Sequence, residues 1–137
     1  MKVLIDSNVL ISAVYNPSSK PARAVRDVCE NHELLLCDNI VEECYDVIGR
    51  KFPQHIPVLD ELLATLRYSS IVAPRSSSVQ IEDSRDAPIL DAAVIGNADI
   101  IISGDNHFLS LELGRPKVLT PAQYLKMMNF GEAENVF

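Results

Sequence analysis

The chain has 137 residues, 47% of them hydrophobic, which suits one domain with a continuous core. Its formal net charge is −7, with 19 acidic residues against 12 basic ones, the wrong overall sign for a surface that gathers polyanions at large. No stretch reaches the ~20 apolar residues needed to cross a bilayer, and the apolar run after Met1 stops at Asp6, too early for a signal peptide. The odd cysteine count (Cys29, Cys37 and Cys44, all in apolar contexts) fits small core residues in a reducing compartment better than disulfides or a zinc site. A soluble, cytoplasmic protein with no membrane partner is expected.

In chain order, Val3-Leu4-Ile5 is a short continuous apolar run, the pattern of a strand covered on both faces. Asp6-Ser7-Asn8 ends it, and a helix is expected over Val9 to Val14. Pro17 to Pro21 is a loop, with Pro21 placed to open a helix near Ala22 to Asn31. Glu33 to Cys37 is a second buried strand. The next helix runs from about Ile40 to Gly49, with Asp38 or Asn39 available as its N-cap. Phe52-Pro53 interrupts, and Pro57 to Tyr68 carries a helical pattern. Ile71-Val72-Ala73 is expected to be a third strand, followed by a polar loop from Arg75 to Ile81.

Asp86 to Asn97 is a helix with Pro88 in its first turn, and Ile100-Ile101-Ile102 is the clearest buried strand of the chain. Lys117 to Leu119 makes a fifth. Thr120-Pro121-Ala122-Gln123 opens the last helix with a capping-box pattern and proline at the first helical position. A domain over 1–130 and a frayed polar tail over 131–137 follow. Strands alternating with helices favour an α/β fold with a mostly parallel sheet and helices on both faces.

Ligands of such sheets sit at the carboxyl ends of the strands. Asp6 directly follows the first apolar run, and Asp105 follows Ile100 to Ser103 after Gly104, which lets the backbone turn sharply. Each, taken singly, is also an ordinary turn aspartate. Stepping ~100° per residue along the third helix gives an apolar stripe of Val47, Ile40, Cys44, Ile48 and Val41. Glu43 lies at its rim, while Glu42 and Asp46 point further out. A boundary glutamate with its head in water has the same pattern. Asp86 heads a helix, where an N-cap is the common role. Asp83, three residues earlier, competes with it, and spacing does not choose between them. Asp91 lies ~140° around the helix from Asp86, too far to share a ligand.

Four gathered carboxylates suit hydrolysis of a phosphodiester. Hard divalent cations such as Mg²⁺ or Mn²⁺ prefer carboxylate oxygens and keep water, whose pKa they lower for attack. Such a cluster would also account for four of the negative charges, and bound cations would cancel them locally. No serine–histidine pair stands out, and His32, His55 and His107 lack zinc-ligand spacing. The basic groups (Lys20, Arg23 and Arg26; Arg50 and Lys51; Arg67, Arg75 and Arg85) suit a solvated surface.

These residues fall into a known order. Val3-Leu4-Ile5-Asp6-Ser7-Asn8-Val9-Leu10 resembles the opening motif of PIN domains, and Ile40-Val41-Glu42-Glu43 resembles their second. Asp86 with Ile89-Leu90 and Ala92-Ala93 is similar to the third, and Ala98-Asp99 with Ser103-Gly104-Asp105 to the fourth. The ending Val118-Leu119-Thr120-Pro121 with Tyr124-Leu125 also fits. The nearest likeness is to prokaryotic VapC-like toxins of toxin–antitoxin modules.

The resemblance implies a three-layer α/β/α sandwich and Mg²⁺- or Mn²⁺-dependent endoribonuclease activity on RNA. It maps catalytic, metal-binding acids onto Asp6, Glu43, Asp86 and Asp105, prefers Asp86 over Asp83, and makes Asn8 and Ser103 supporting residues. It further implies a cognate antitoxin protein that blocks the site, and a homodimer. Two features depart from the pattern. His107 stands where many relatives carry another acid, which favours one firmly bound metal over two. Arg50-Lys51-Phe52 lacks a proline between its basic residues. A phosphoryl-transfer domain of receiver or haloacid-dehalogenase type fits worse, for want of paired acids near the first strand. A PIN domain used as a regulatory binding module, with little or no catalysis, is the remaining alternative.

Overall fold

The apolar runs beginning at Val3, Leu34 and Ile100 form the three inner strands of one parallel sheet. The structure is a computed structural model, and it describes residues 1–72, 87–104 and 116–128, with backbone only at 87–89. The strands are β1 (Lys2–Ile5), β2 (Glu33–Cys37), β3 (Tyr68–Ile71), β4 (Ile100–Ile102) and β5 (Lys117–Leu119), arranged β3-β2-β1-β4-β5. All four pairings are parallel, with Leu4 opposite Leu35 on one side and Ile101 on the other. The helices are α1 (Ser7–Tyr15), α2 (Lys20–Asn31), α3 (Asp38–Lys51), α4 (Ile56–Thr65), α5 (Ala87–Ile95) and α6 (Pro121–Met127). They complete the three-layer α/β/α arrangement expected of alternating strands and helices.

Val3, Leu4, Ile5, Leu36, Ile101 and Ile102 are fully buried, as continuous apolar strands must be when both faces are covered. The chain steps outward from β1 in both directions, to β2 and β3 on one side and to β4 and β5 on the other. This makes the carboxyl end of β1 a topological switch point, where open α/β sheets leave a crevice. Asp6 stands there.

Three local expectations need correction. The third strand is Tyr68–Ile71, not Ile71-Val72-Ala73; Val72 already lies beyond the strand and is exposed, and Ala73 lies outside the described residues. A strand at the sheet's edge need not be apolar on both faces, and Ser69 and Ser70 carry β3 with water beside them. The helix before it accordingly ends at Thr65 rather than Tyr68. Finally, α3 is capped by neither Asp38 nor Asn39. Its N-cap is Cys37, which makes no side-chain capping bond, and Asp38 lies inside the first turn, accepting from the Asn39 N–H at 2.8 Å. The strand passes into the helix without a linker, so the cap falls on the last strand residue.

Other boundaries follow their local chemistry. Thr120 and Gln123 form both bonds of the capping box at 2.9 and 3.0 Å. After α5, Asn97 takes a left-handed φ of 55°. The Ala98 N–H donates to the Ala93 carbonyl and the Asn97 N–H to the Val94 carbonyl, the two bonds of a Schellman ending. A Cβ at Gly96 would fall 2.4 Å from Ile71 Cδ1, so any larger residue in this turn would push the Ile71 side chain aside. Among the cysteines, Cys37 and Cys44 are buried and free as expected; Cys29 is only half-buried and accepts from the Arg67 N–H at 3.4 Å. No helix among the described residues is long and apolar enough to cross a membrane.

Candidate functional site

Buried polar side chains among the described residues are Asp6, Ser7, Asp27, Asp91 and Ser103. Three of them converge at the carboxyl end of β1. The backbone places them: the Asp6 N–H donates to the Ile102 carbonyl at 3.0 Å, extending the β1–β4 ladder by one residue, and the Ser103 N–H donates to the Leu119 carbonyl. Asp6 is thus the last residue held by the sheet and the N-cap of α1. Both roles weighed for it in the sequence, capping aspartate and strand-end acid, coexist.

Asp6 is 4% exposed, and its carboxylate accepts from donors on two elements. Its Oδ1 takes the Ser7 N–H at 2.8 Å, and its Oδ2 takes the Asn8 amide at 3.2 Å and the Ser103 hydroxyl at 2.9 Å. Asn8 is held in turn, because its Oδ1 accepts the Gly104 N–H at 3.1 Å. The donors fix the rotamer of Asp6.

Glu43 reaches the same place from α3. Its Oε2 accepts the Ser7 hydroxyl at 2.7 Å. Ile40, Cys44 and Ile48 are buried on α3 while Glu43 is exposed, so its head stands in solvent at the rim of the apolar stripe as its helical angle predicts. The field of the two acids registers on Cys44, whose thiol donates to the Ser7 carbonyl at 3.8 Å. Burial pushes that thiol up to about 12, and the negative charges of Glu43 and Asp6 add to the effect. Cys44 is therefore a neutral thiol and offers no thiolate ligand.

The site so far contains Asp6, Glu43, Asn8 and Ser103, all joined by hydrogen bonds directly or through Ser7. Asp86 and Asp105, like Asp83 and His107, lie outside the described residues. No group of three His, Cys, Asp or Glu side chains able to hold a metal occurs among the described residues. The donor set that is described consists of hard oxygens, which suits Mg²⁺ or Mn²⁺. Ser7 is the member that the sequence did not single out. It is 5% exposed and ties Asp6 to Glu43 with its backbone and its side chain. Its only sequence signal was its place between Asp6 and Asn8.

Asp99, part of the fourth motif, lies at the opposite edge of the sheet. Its Oδ2 accepts the Lys2 N–H at 2.9 Å and its own N–H donates to the Lys2 carbonyl, so it pins the start of β1 against β4. Beside Asn8, an open cleft of about 310 Å³ runs between Val9, Ser12, Pro21, Gly104 and Pro121. It lies on the α2 and α6 side of the site, opposite Glu43.

No curated protein sequence matches the chain. Among solved structures it is similar to VapBC2 from Rickettsia felis bound to a DNA fragment from their promoter. That likeness has a TM-score of 0.67 at 14% identity and covers 88% of this chain and 98% of that one. It is also similar to the PIN domain of human SMG5, with a TM-score of 0.52 at 11% identity, covering 93% of this chain and 99% of that one. At such identities the likeness speaks for the fold alone. The PIN domain family model matches residues 2–107, which spans both strand-end motifs and the α3 glutamate, and the chain belongs to the PIN domain family.

Proposed function

We propose that the chain is a Mg²⁺- or Mn²⁺-dependent endoribonuclease, the toxin of a toxin–antitoxin module acting in the cytoplasm. The observation that carries this is the Asp6–Ser7–Glu43 connection. An aspartate that is 4% exposed, held by donors from Ser7, Asn8 and Ser103 and joined through one serine to a second, solvent-facing carboxylate is costly to build. A bound cation offsets that cost; a merely structural aspartate would not need the glutamate. Asp86 and Asp105 would complete the ligand set with Asp6 and Glu43, while Asn8 and Ser103 orient Asp6.

When bound, the metal supplies an activated water and a counter-charge for the phosphate. The chain's own residues do the rest. Ser103, Asn8 and the Ser7 N–H keep Asp6 in one rotamer, and Ser7 Oγ keeps Glu43 turned toward it. The cleft beside Asn8 leaves room for the substrate next to the acids. PIN family membership supports a nuclease, and the fold shared with VapBC2 supports an antitoxin as protein partner.

The test is cleavage of a panel of single-stranded RNAs by the purified chain in Mg²⁺ or Mn²⁺. Asp6→Asn is expected to lower the rate by about 100-fold or more, beyond the 10–100-fold typical of an outer-sphere partner, and EDTA to abolish it. Cleavage that continues in EDTA rules out the metal. Failure to cleave any RNA, with RNA or partner binding that Asp6→Asn leaves intact, would establish a regulatory binding module instead.

A further inference from the structure

Arg50-Lys51-Phe52, set aside above as surface, lies at the far end of a seam that starts at the acids. Helices α1 and α3 pack side by side and run the same way. Ser7 meets Glu43 and Cys44 at their beginnings, and the Tyr15 and Phe52 rings meet at their ends with centroids 5.1 Å apart. Ser7, Ile11 and Tyr15 follow one row of α1 at i, i+4 and i+8, and Glu43, Val47 and Lys51 follow one row of α3. Ile11 and Val47 are half-buried, so the floor is apolar; Glu43, Tyr15 and Lys51 are exposed. Eight residues of helix span about 12 Å at 1.5 Å each.

The two ends of this seam differ chemically. One carries the carboxylates. At the other, Tyr15 is 60% exposed although Phe52 and His55 support it from within, His55 at 5.8 Å. A large aromatic ring braced by two others and still 60% exposed offers an open stacking platform. The nearby cations are unequal: Arg50 is paired with Asp46 at 3.1 Å, while Lys51 is exposed at the end of the row. An exposed aromatic face at the end of a seam whose α3 row closes on an exposed lysine, with Asp6 and Glu43 at the other end, matches how single strands are held, by stacked bases and neutralised phosphates.

We propose that the seam between α1 and α3 is the track of a single RNA strand, with one unpaired base stacked on Tyr15 and a backbone phosphate held by Lys51. This rests on the ribonuclease function proposed above and adds where the substrate lies beyond the scissile phosphate. A net charge of −7 then poses no obstacle, because the strand needs cations only along this line. The track selects unpaired RNA, since a base already stacked and paired within a duplex cannot also cover Tyr15.

The chain has no tryptophan and four tyrosines, so stacking can be followed by tyrosine emission. The full chain is titrated with a fluorescein-labelled decauridine, by anisotropy, with Ca²⁺ replacing Mg²⁺; unlabelled decauridine is used for the emission. Wild type should bind with quenched tyrosine emission. Tyr15→Ala should bind about tenfold more weakly, and Tyr15→Phe should bind within about twofold of wild type but with most of the quenching gone. Lys51→Ala should flatten the dependence of log affinity on log salt by about 0.7, one phosphate contact on a single strand. Thermal melts confirm that each variant is folded.

Absence of RNA binding by wild type, or equal binding by Tyr15→Ala, overturns the track. Equal binding with altered light-scattering mass would show instead that Tyr15 sits at a contact between copies of the chain, which also overturns it. Wild-type cleavage in Mn²⁺ is measured separately. A chain that cleaves RNA but ignores Tyr15→Ala loses the track and keeps the ribonuclease function; one that binds through Tyr15 without cleaving keeps the track and loses the ribonuclease.

Discussion

At the scale of single residues, Ser7 has the most consequential position outside the acids. Its hydroxyl is the only described contact that turns Glu43 toward Asp6, and Glu43 is otherwise solvent-facing on α3. Ser7→Ala removes the hydroxyl and keeps the N–H that Asp6 accepts. The fold should therefore be almost unchanged, within about 1 kcal/mol, while the Glu43 head gains rotamer freedom. Mn²⁺ affinity by calorimetry is expected to fall about 10- to 100-fold, the range for partners that orient a ligand. Ser7→Thr, which keeps the hydroxyl, should recover most of it. Unchanged affinity in Ser7→Ala would mean that Glu43 needs no positioning. The positions of Asp6 and Glu43 were legible in the sequence because a strand end and a helical angle are local facts. Ser7 was not, because its function depends on α3 arriving beside α1, which no local pattern specifies.

At the scale of elements, what was legible depended on burial. The inner strands β1, β2 and β4 announce themselves because both faces are covered, and the start of α6 because Thr120 and Gln123 make a reciprocal cap. The edge strand β3 was placed three residues late at its start and two at its end because its Ser69 and Ser70 face conditions that impose no apolar pattern. The α3 cap was misassigned because β2 runs into the helix directly. How α6 docks was also hidden from sequence, since the tie is a buried polar bond between distant residues. Tyr124 is fully buried and its hydroxyl donates to Asp27 Oδ2, while the Asn31 amide donates to Asp27 Oδ1 at 2.6 Å. Burial and this bond hold the Tyr124 hydroxyl well above the usual range for tyrosine, so it stays a donor. Tyr124→Phe leaves the ring packing and strands one oxygen of a buried carboxylate. The expected loss is about 1.5–3 kcal/mol, the scale of a hydrogen bond to a charged group. Urea unfolding would show it as a lower midpoint at unchanged m-value. Replacing Asp27 as well, in Asp27→Leu with Tyr124→Phe, should recover part of the loss, because both polar partners are then gone.

At the scale of the whole molecule, the core's buried acid–base groups set how the fold responds to alkali. Cys37, fully buried where β2 enters α3, is pushed up from 9.0 to about 11, chiefly by burial and further by the hydrogen bond and charge of Asp38; backbone N–H groups of α3 oppose this. The folded chain thus keeps a proton that the unfolded chain gives up above pH 9. Between pH 9 and 11 the unfolded state binds fewer protons, so stability falls as pH rises; the contribution of Cys37 is complete below pH 9 and lost through pH 11. Two units of pKa correspond to about 3 kcal/mol, a large share of a marginally stable fold. Tyr124 acts in the same direction at higher pH. Cys37→Ala lacks the titrating thiol. At pH 7 it should be less stable by about 1 kcal/mol, for the small cavity left in the core. Its unfolding free energy should then decline less steeply than that of wild type from pH 9 to 11, so the two curves converge or cross. Chemical denaturation at several pH values measures this directly. Parallel curves would show that Cys37 gains solvent or a partner before it ionises, and that the junction of β2 and α3 is looser than its burial implies.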